Sequence, residues 1–347
     1  MATAADERRN LAARGAWLAN GVRGVRPLPP VTGALGSTLR IKLDPVGLLT
    51  AVIIRATVRV TIAGTVQTLA NQSPYSLLTR IRLQDDQGTS RVVLTGDHAY
   101  ALSTLYDRSG GAGQVGVMYQ YPLVPTAIGA DQLIDVTYRI PIVGDPWRDL
   151  RGGLYMPRQS QTYVFCDFAP QFQTAGDASA VYDTATGSVT LSTATQQPTI
   201  EVWQEFLDFG GPLPELDIRT VHYLTGAQAI TGGLSAGTEQ LIDYPVSRQV
   251  RALLLSQLVD DAQAVDNAQG FRSIVRSNYD TLKMSATEKY VQQRRYLNGN
   301  DMLNGYWFFT HAPELSARFS REFQAGFTPA VSGASQSLTF TFDSFGE

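Results

Sequence analysis

From Gly36 onward, apolar and polar residues alternate with a period of two. In "AVIIRATVRVTI", Val52, Ile54, Ala56, Val58, Val60 and Ile62 share one face, and Arg55, Thr57, Arg59 and Thr61 share the other. Successive side chains of an extended chain point to opposite faces, so this pattern predicts an antiparallel strand with one face buried. "LIDVTYRIPIV" repeats it, with Ile134, Val136, Tyr138, Ile140 and Ile142 set against Asp135, Thr137 and Arg139. "SLTFTFDSF" does the same near the C-terminus, with Leu338, Phe340 and Phe342 inward. Further strands are expected over 38–43, 77–84, 161–168, 199–207, 216–224, 248–258, 271–276, 305–311 and 317–325. Tracts rich in glycine, serine and alanine, such as "DASAVYDTATGS" and "ITGGLSAGTEQ", separate them as turns.

Helical periodicity is scarce. "TGDHAYALSTLYDR" predicts a helix capped by Thr95, with His98, Leu102 and Leu105 along one stripe. "SATEKYVQQRRYLNG" predicts another, with Ser285 as cap, Glu288 at its third position and Gly299 as stop. Many strands with few helices point to an all-β class of sandwiches with short helical insertions and an N-terminal helix. The linker "FGGPLPELD" divides the body. The expected organisation is an N-terminal helix and arm over 1–35, a first sandwich over 36–209, a linker over 210–215 and a second sandwich over 216–347, each long enough for eight strands.

The first thirty residues follow a different pattern. "ADERRNLAARGAWLANGVRG" places Ala4, Leu11, Leu18 and Val22 on one helical stripe. Glu7 and Arg14 intrude on that stripe and Trp17 lies opposite, so the amphipathicity is modest. The twin arginine of "ERRNLA" raises an export signal, but Arg14 and Gly15 break the apolar run that such a signal needs. Two readings stay open: an inner foot lying near anionic headgroups, or a neighbour-bound or disordered arm. Arg8, Arg9, Arg14, Trp17, Arg23 and Arg26 are the candidate contact residues in either case.

Charge sharpens this division. The chain has 28 basic and 31 acidic residues in 347, for a net charge of −3. Residues 1–42 are nevertheless strongly positive, through Arg8, Arg9, Arg14, Arg23, Arg26, Arg40 and Lys42 against Asp6 and Glu7. The body is therefore acidic and no polyanion binder; only the N-terminal segment has the charge for one. Charged residues make up 17% against about 25% in an average domain. That composition suits a surface hidden in contacts with neighbours, and equally suits an ordinary β-rich protein.

Little in the sequence asks to be an active site. The one cysteine, Cys166, lies in the aromatic strand "QTYVFCDFAP" and reads as a small buried hydrophobe. His98, His222 and His311 are isolated from one another, and no HxH, HExxH or CxxC spacing occurs. Asp97–His98 reads as a solvated helix cap in preference to an acid–base pair. The adjacent acids Asp85–Asp86 and Asp260–Asp261 follow strands, where they mark exposed turns, with calcium binding or carboxylate catalysis as the alternatives. No GxSxG elbow, Walker loop or GxGxxG fingerprint is present. No catalytic, cofactor-binding or metal-ligating residue is assigned.

The order of segments carries more than any one of them. "LPELDIRTVHYLTGAQA", then "RQVRALLLSQLVDDAQAVDNAQGFRSI", then "SATEKYVQQRRYLNGNDMLNGYWFFTHAPEL" follow one another in the second half, and "PIVGDPWRDLRGGLYMPRQSQTYVFCDF" takes the matching place in the first. This order resembles the double jelly-roll major capsid proteins of tailless, membrane-containing icosahedral viruses, the tectivirus-like lineage. "DPWRDLRGG" departs from that pattern in being short and glycine-ended, and "SGGAGQVGVMYQYPLVPTAIGADQ" has no counterpart. The resemblance implies that the two sandwiches, over 36–209 and 216–347, are consecutive eight-stranded jelly rolls, and that the chain is a structural protein without catalytic residues or cofactors. It implies homotrimeric, pseudo-hexagonal capsomers in the shell of a bacteriophage or similar virus, assembled in the host cytoplasm. Neighbouring trimers, penton and minor capsid proteins and an internal membrane would be the partners, the membrane through the N-terminal segment, with no direct nucleic-acid contact by the body. A two-domain jelly-roll glycan hydrolase using carboxylates such as Asp85 or Asp260 stays as an alternative, as does a lectin-like or receptor-binding module.

Overall fold

The computed structural model describes residues 21–70, 73–109, 122–143, 153–158, 161–173, 181–183, 186–192, 197–209, 221–230, 237–243, 249–259, 262–263, 268–275, 279–285, 306–310, 323–329 and 336–345. The first half contributes β1 (Val22–Pro27), β2 (Val31–Thr32), β3 (Thr38–Lys42), β4 (Leu48–Ala63), β5 (Leu78–Gln84), β6 (Ser90–Leu94), helix α1 (Gly96–Ser109), β7 (Gly129–Pro141), β8 (Leu154–Tyr155), β9 (Tyr163–Phe168), β10 (Ser188–Leu191) and β11 (Thr199–Asp208). The second half contributes β12 (Val221–Ile230), β13 (Gln240–Asp243), β14 (Gln249–Val259), β15 (Ala262–Gln263), β16 (Ala268–Val275), β17 (Tyr279–Ser285), β18 (Tyr306–Thr310), β19 (Phe323–Pro329) and β20 (Gln336–Phe345).

These strands form three sheets. The sixteen-residue β4 is the spine of a seven-stranded sheet in the order β1-β11-β4-β10, with β7 and β8 also on β4 and β2 on β11. A nine-stranded sheet runs β15-β14-β20-β12-β6-β5-β9-β3, with β18 on β14. A four-stranded sheet, β13-β19-β16-β17, lies wholly in the second half. Two separate sandwiches would give four sheets. Here β6 and β12 pair in parallel, Tyr223 with Val92 and Leu224 with Val93, so the middle sheet passes from one half into the other. Each of these strands would otherwise end its sheet with unpaired N–H and C=O groups, and the pairing covers part of both edges at once.

The period-two faces land as the alternation requires. Val52, Ile54, Ala56, Val58, Val60 and Ile62 are all buried, as are Ile134, Val136, Tyr138, Ile140 and Ile142. Opposite them lie Leu39 and Ile41 of β3, Ile81 and Leu83 of β5, and Val164, Cys166 and Phe168 of β9, in one core. Leu254 and Tyr306 of the second half belong to that same core, so apolar packing is continuous across the join.

Several expectations change. Val22 does not extend an N-terminal helix: Val22–Pro27 is a strand, in register with Asp208 to Trp203 of β11. The segment read as an arm therefore adds β1 and β2 to the first sheet. Of the strand expected at 317–325, residues 323–325 lie in β19, which runs on to Pro329 with Gly326 between Leu241 and Arg272, and residues 317–322 lie outside the described residues. Ser285 ends β17, opposite Gly270, where a helix cap was expected. The rest of that helix, the linker 210–215 and the insertion at 144–152 lie outside the described residues.

Candidate functional site

The join between the halves holds a buried polar cluster contributed by both of them. Helix α1 begins immediately after β6 and carries Asp97 and His98 in its first turn. The Thr95 carbonyl accepts the Ala99 amide at 2.9 Å, but the Thr95 hydroxyl is buried without a hydrogen bond, so it is no side-chain cap. His98 is fully buried, which overturns its reading as a solvated cap residue. Its Nδ1 lies 2.7 Å from Thr341 Oγ1 on β20 and its Nε2 2.8 Å from Ser256 Oγ on β14. Tyr306 on β18 donates its hydroxyl to Asp97 Oδ2 at 3.1 Å and meets the imidazole edge-on, with ring centres 5.8 Å apart. Burial pushes the His98 imidazole below its ordinary value, and the Asp97 charge opposes this.

The second-half strands at this point are covered on both faces. Leu254, Leu255 and Ser256 are consecutive and all buried, which one-sided burial of an alternating strand cannot produce. Thr341 is likewise buried although it belongs to the polar set of "SLTFTFDSF", while Phe340 beside it is only half-buried. Helix α1 of the first half supplies the second cover.

The outer faces of the first half hold paired charges. On the seven-stranded sheet, Arg55 binds Asp135 of β7 through Nε at 2.9 Å and Glu201 of β11 through Nη1 at 3.1 Å. The hydrogen bond to Asp135 raises the Arg55 guanidinium above its ordinary range against the opposing effect of burial. Arg139 of β7 reaches over β4 to Glu205 of β11 at 2.6 Å. Arginine fits such bridging because its planar fork engages a carboxylate with two donors. On the nine-stranded sheet the pattern is arginine on aromatic: Arg40 lies 3.6 Å from the Tyr163 ring centre, Arg82 lies 5.1 Å from that of Phe165, and Arg82 also meets Asp167 at 3.3 Å. Tyrosine, phenylalanine and arginine are the side chains enriched in protein–protein interfaces.

The candidate contact residues divide at residue 21. Arg8, Arg9, Arg14 and Trp17 lie outside the described residues. Arg23 and Arg26 sit on β1, at the edge of the seven-stranded sheet. Arg26 pairs with Asp44, both side chains being exposed, and Val22 and Val25 are 70% and 47% exposed. Among the described residues no helix is long and apolar enough to cross a membrane.

Asp85, expected in an exposed turn or as a carboxylate catalyst, is buried. Its Oδ1 accepts the Gln87 and Thr89 amides at 3.1 and 2.8 Å, and its Oδ2 accepts Arg91 Nε at 2.7 Å. Gly88, at φ +80°, closes the β5–β6 hairpin around it. Both carboxylate oxygens are thus engaged in holding that hairpin. Asp85→Ala is expected to lower stability by about 2 kcal/mol, because two backbone amides of the turn and the Arg91 guanidinium lose the buried carboxylate that accepts them. Urea unfolding checks this; a loss below about 0.5 kcal/mol would show that water replaces the carboxylate. Asp260, Asp261 and His311 lie outside the described residues, and His222 is on β12. Cys166 is fully buried and burial raises its thiol, in keeping with a packing role. No group of three or more His, Cys, Asp or Glu among the described residues is placed to hold a metal ion.

No protein-family model and no curated protein sequence matches the chain. Solved structures do. The crystal structure of the STIV MCP superposes with a TM-score of 0.67 at 9% identity, over 93% of this chain and 96% of that one. The PBCV-1 virus capsid, a quasi-atomic model, gives 0.60 at 10% identity, over 94% of each chain. The major capsid protein from bacteriophage PM2 gives 0.52 at 12% identity, over 94% of this chain and 98% of that one. At such identities the likeness establishes the fold: a predominantly β, double jelly-roll-like architecture extending over nearly the whole chain.

Proposed function

We propose that this chain is a structural major capsid protein of an icosahedral virus. The observation that carries this reading is the likeness of both halves together, over 94% of the chain, to a major capsid protein and a virus capsid. A wall-building subunit needs rigid, broad faces, and the first half presents two: one cross-braced by Arg55, Arg59 and Arg139, the other laid with arginine on aromatic rings. In this reading residues 36–209 and 216–347 are the two jelly rolls, joined by the linker at 210–215, and β1 and β2 extend the first.

The capsomer is a homotrimer of pseudo-hexagonal outline, because two similar barrels in each of three subunits give six upright walls. Neighbouring trimers, penton and minor capsid proteins are its contacts in the virion, which assembles in the host cytoplasm. The shell encloses a membrane, approached by Arg8, Arg9, Arg14 and Trp17 ahead of the first strand. The tectivirus-like lineage, and a bacteriophage source, rest on the ordered sequence segments.

Native mass and electron microscopy of the purified full chain test the reading. A species of three 37.8 kDa chains, 113.4 kDa, with a hexagonal outline and two barrels per subunit is expected. A stable monomer that never assembles would overturn it.

A further inference from the structure

The buried cluster at the join has a consequence that its location makes measurable. Its members come from four separate elements: Asp97 and His98 from α1, Ser256 from β14, Tyr306 from β18 and Thr341 from β20. The backbone pairing beneath it, between β6 and β12, spans only two residue pairs. Among the described residues, the cluster's side chains add three hydrogen bonds across the join to that short pairing.

We propose that this cluster is an acid-sensitive latch: protonation of His98 loosens helix α1 of the first half from strands β14 and β20 of the second. A neutral imidazole has one donor and one acceptor nitrogen, and the two flanking hydroxyls satisfy both. A second proton places a cation in a site without solvent access. It also does so in the first turn of a helix, where the macrodipole disfavours positive charge.

The surrounding groups do not cancel this. Ser256 of β14 and Thr341 of β20 are uncharged. Tyr306 of β18 presents a ring edge to the imidazole and its hydroxyl to Asp97, and burial raises the phenol of Tyr138 of β7 near Asp97, which keeps it neutral. Among the described residues, Asp97 is the carboxylate paired with His98, 3.9 Å from its Nε2, and it is already engaged by Tyr306.

Because burial holds the folded imidazole below its ordinary value of 6.5, the unfolded chain takes up the proton first as pH falls. The stabilisation is complete above about 6.5 and is lost progressively as pH falls from there through the folded-state value.

The test uses the isolated full chain, so it stands or falls independently of the capsid reading. Urea unfolding from pH 8 to 5 is compared for the wild type and His98→Gln. Below about pH 6.5 the wild-type ratio of folded to unfolded chain is expected to fall with an extra component approaching tenfold per pH unit, absent from the variant. Parallel profiles would overturn the latch. Should His98→Gln fail to fold, proton NMR of the wild type decides, since the chain has three histidines. A His98 resonance titrating below 6.5, with faster intrinsic-rate-corrected amide exchange at Tyr223 and Leu224 at pH 5.5 than at 7.5, supports it. Titration at or above 6.5, or unchanged exchange, overturns it.

Discussion

Gly96→Ala is expected to destabilise the folded chain by about 3 kcal/mol or more, at or beyond the upper end of ordinary overpacking. A Cβ at position 96 would lie 2.1 Å from the Tyr75 carbonyl oxygen and 2.3 Å from that of Leu78. Both obstacles are backbone, so no side-chain rotation relieves them. The helix would have to lift away from the turn at Tyr75–Leu77 and from the start of β5. It cannot do so cheaply, because Tyr100 of the helix stacks on Tyr75, and Tyr138 donates its hydroxyl to the Tyr75 carbonyl at 2.9 Å. His98 lies two residues on, so displacement of the helix start also disturbs its contacts with Ser256 and Thr341. The unfolding midpoint in urea measures the effect. A loss below about 1 kcal/mol would mean that α1 can shift without disturbing its neighbours.

Two N-terminal truncations should differ sharply. Deleting residues 1–20 is expected to leave the unfolding midpoint unchanged while lowering particle yield or membrane association severalfold. It removes Arg8, Arg9, Arg14 and Trp17 but leaves β1 on β11. Each arginine near anionic headgroups contributes about 1 kcal/mol, and repetition over a shell multiplies weak contacts through avidity. Deleting residues 1–30 should lower stability as well, by about 3 kcal/mol. That cut removes all of β1 and also Leu28, which is buried and donates its amide to Val202 at 2.9 Å. Equal midpoints for the two truncations would deny β1 a structural part. Unchanged particle yield and lipid content after removal of 1–20 would deny the N-terminal segment a part in assembly.

The strands with one apolar face were legible because their burial is written locally. β4 and β7 each repeat an inward residue at every second position, and no other local structure buries that set. β1 was not legible for the converse reason. "VRGVRP" has no inward face, and its valines stand three apart, as on a helix. It is a strand because the edge of β11 offers it six residues of pairing. β6 and β17 were missed too, one being short and the other carrying no clear alternation. At the join, "GDHAY" looks like any exposed helix start.

The sequence by itself determined the all-β class, the inward faces of the long strands, the helix at 96–109 and the lack of familiar catalytic spacing. These follow from periodicity and composition, which act over a few residues. Only the tertiary structure decided that the two halves share a sheet, that Asp85 is a hairpin brace, and that His98 is a buried connector. Its partners Ser256 and Thr341 lie 158 and 243 residues away. Burial of a polar side chain depends on what packs over it, and that cover comes from strands no local window contains.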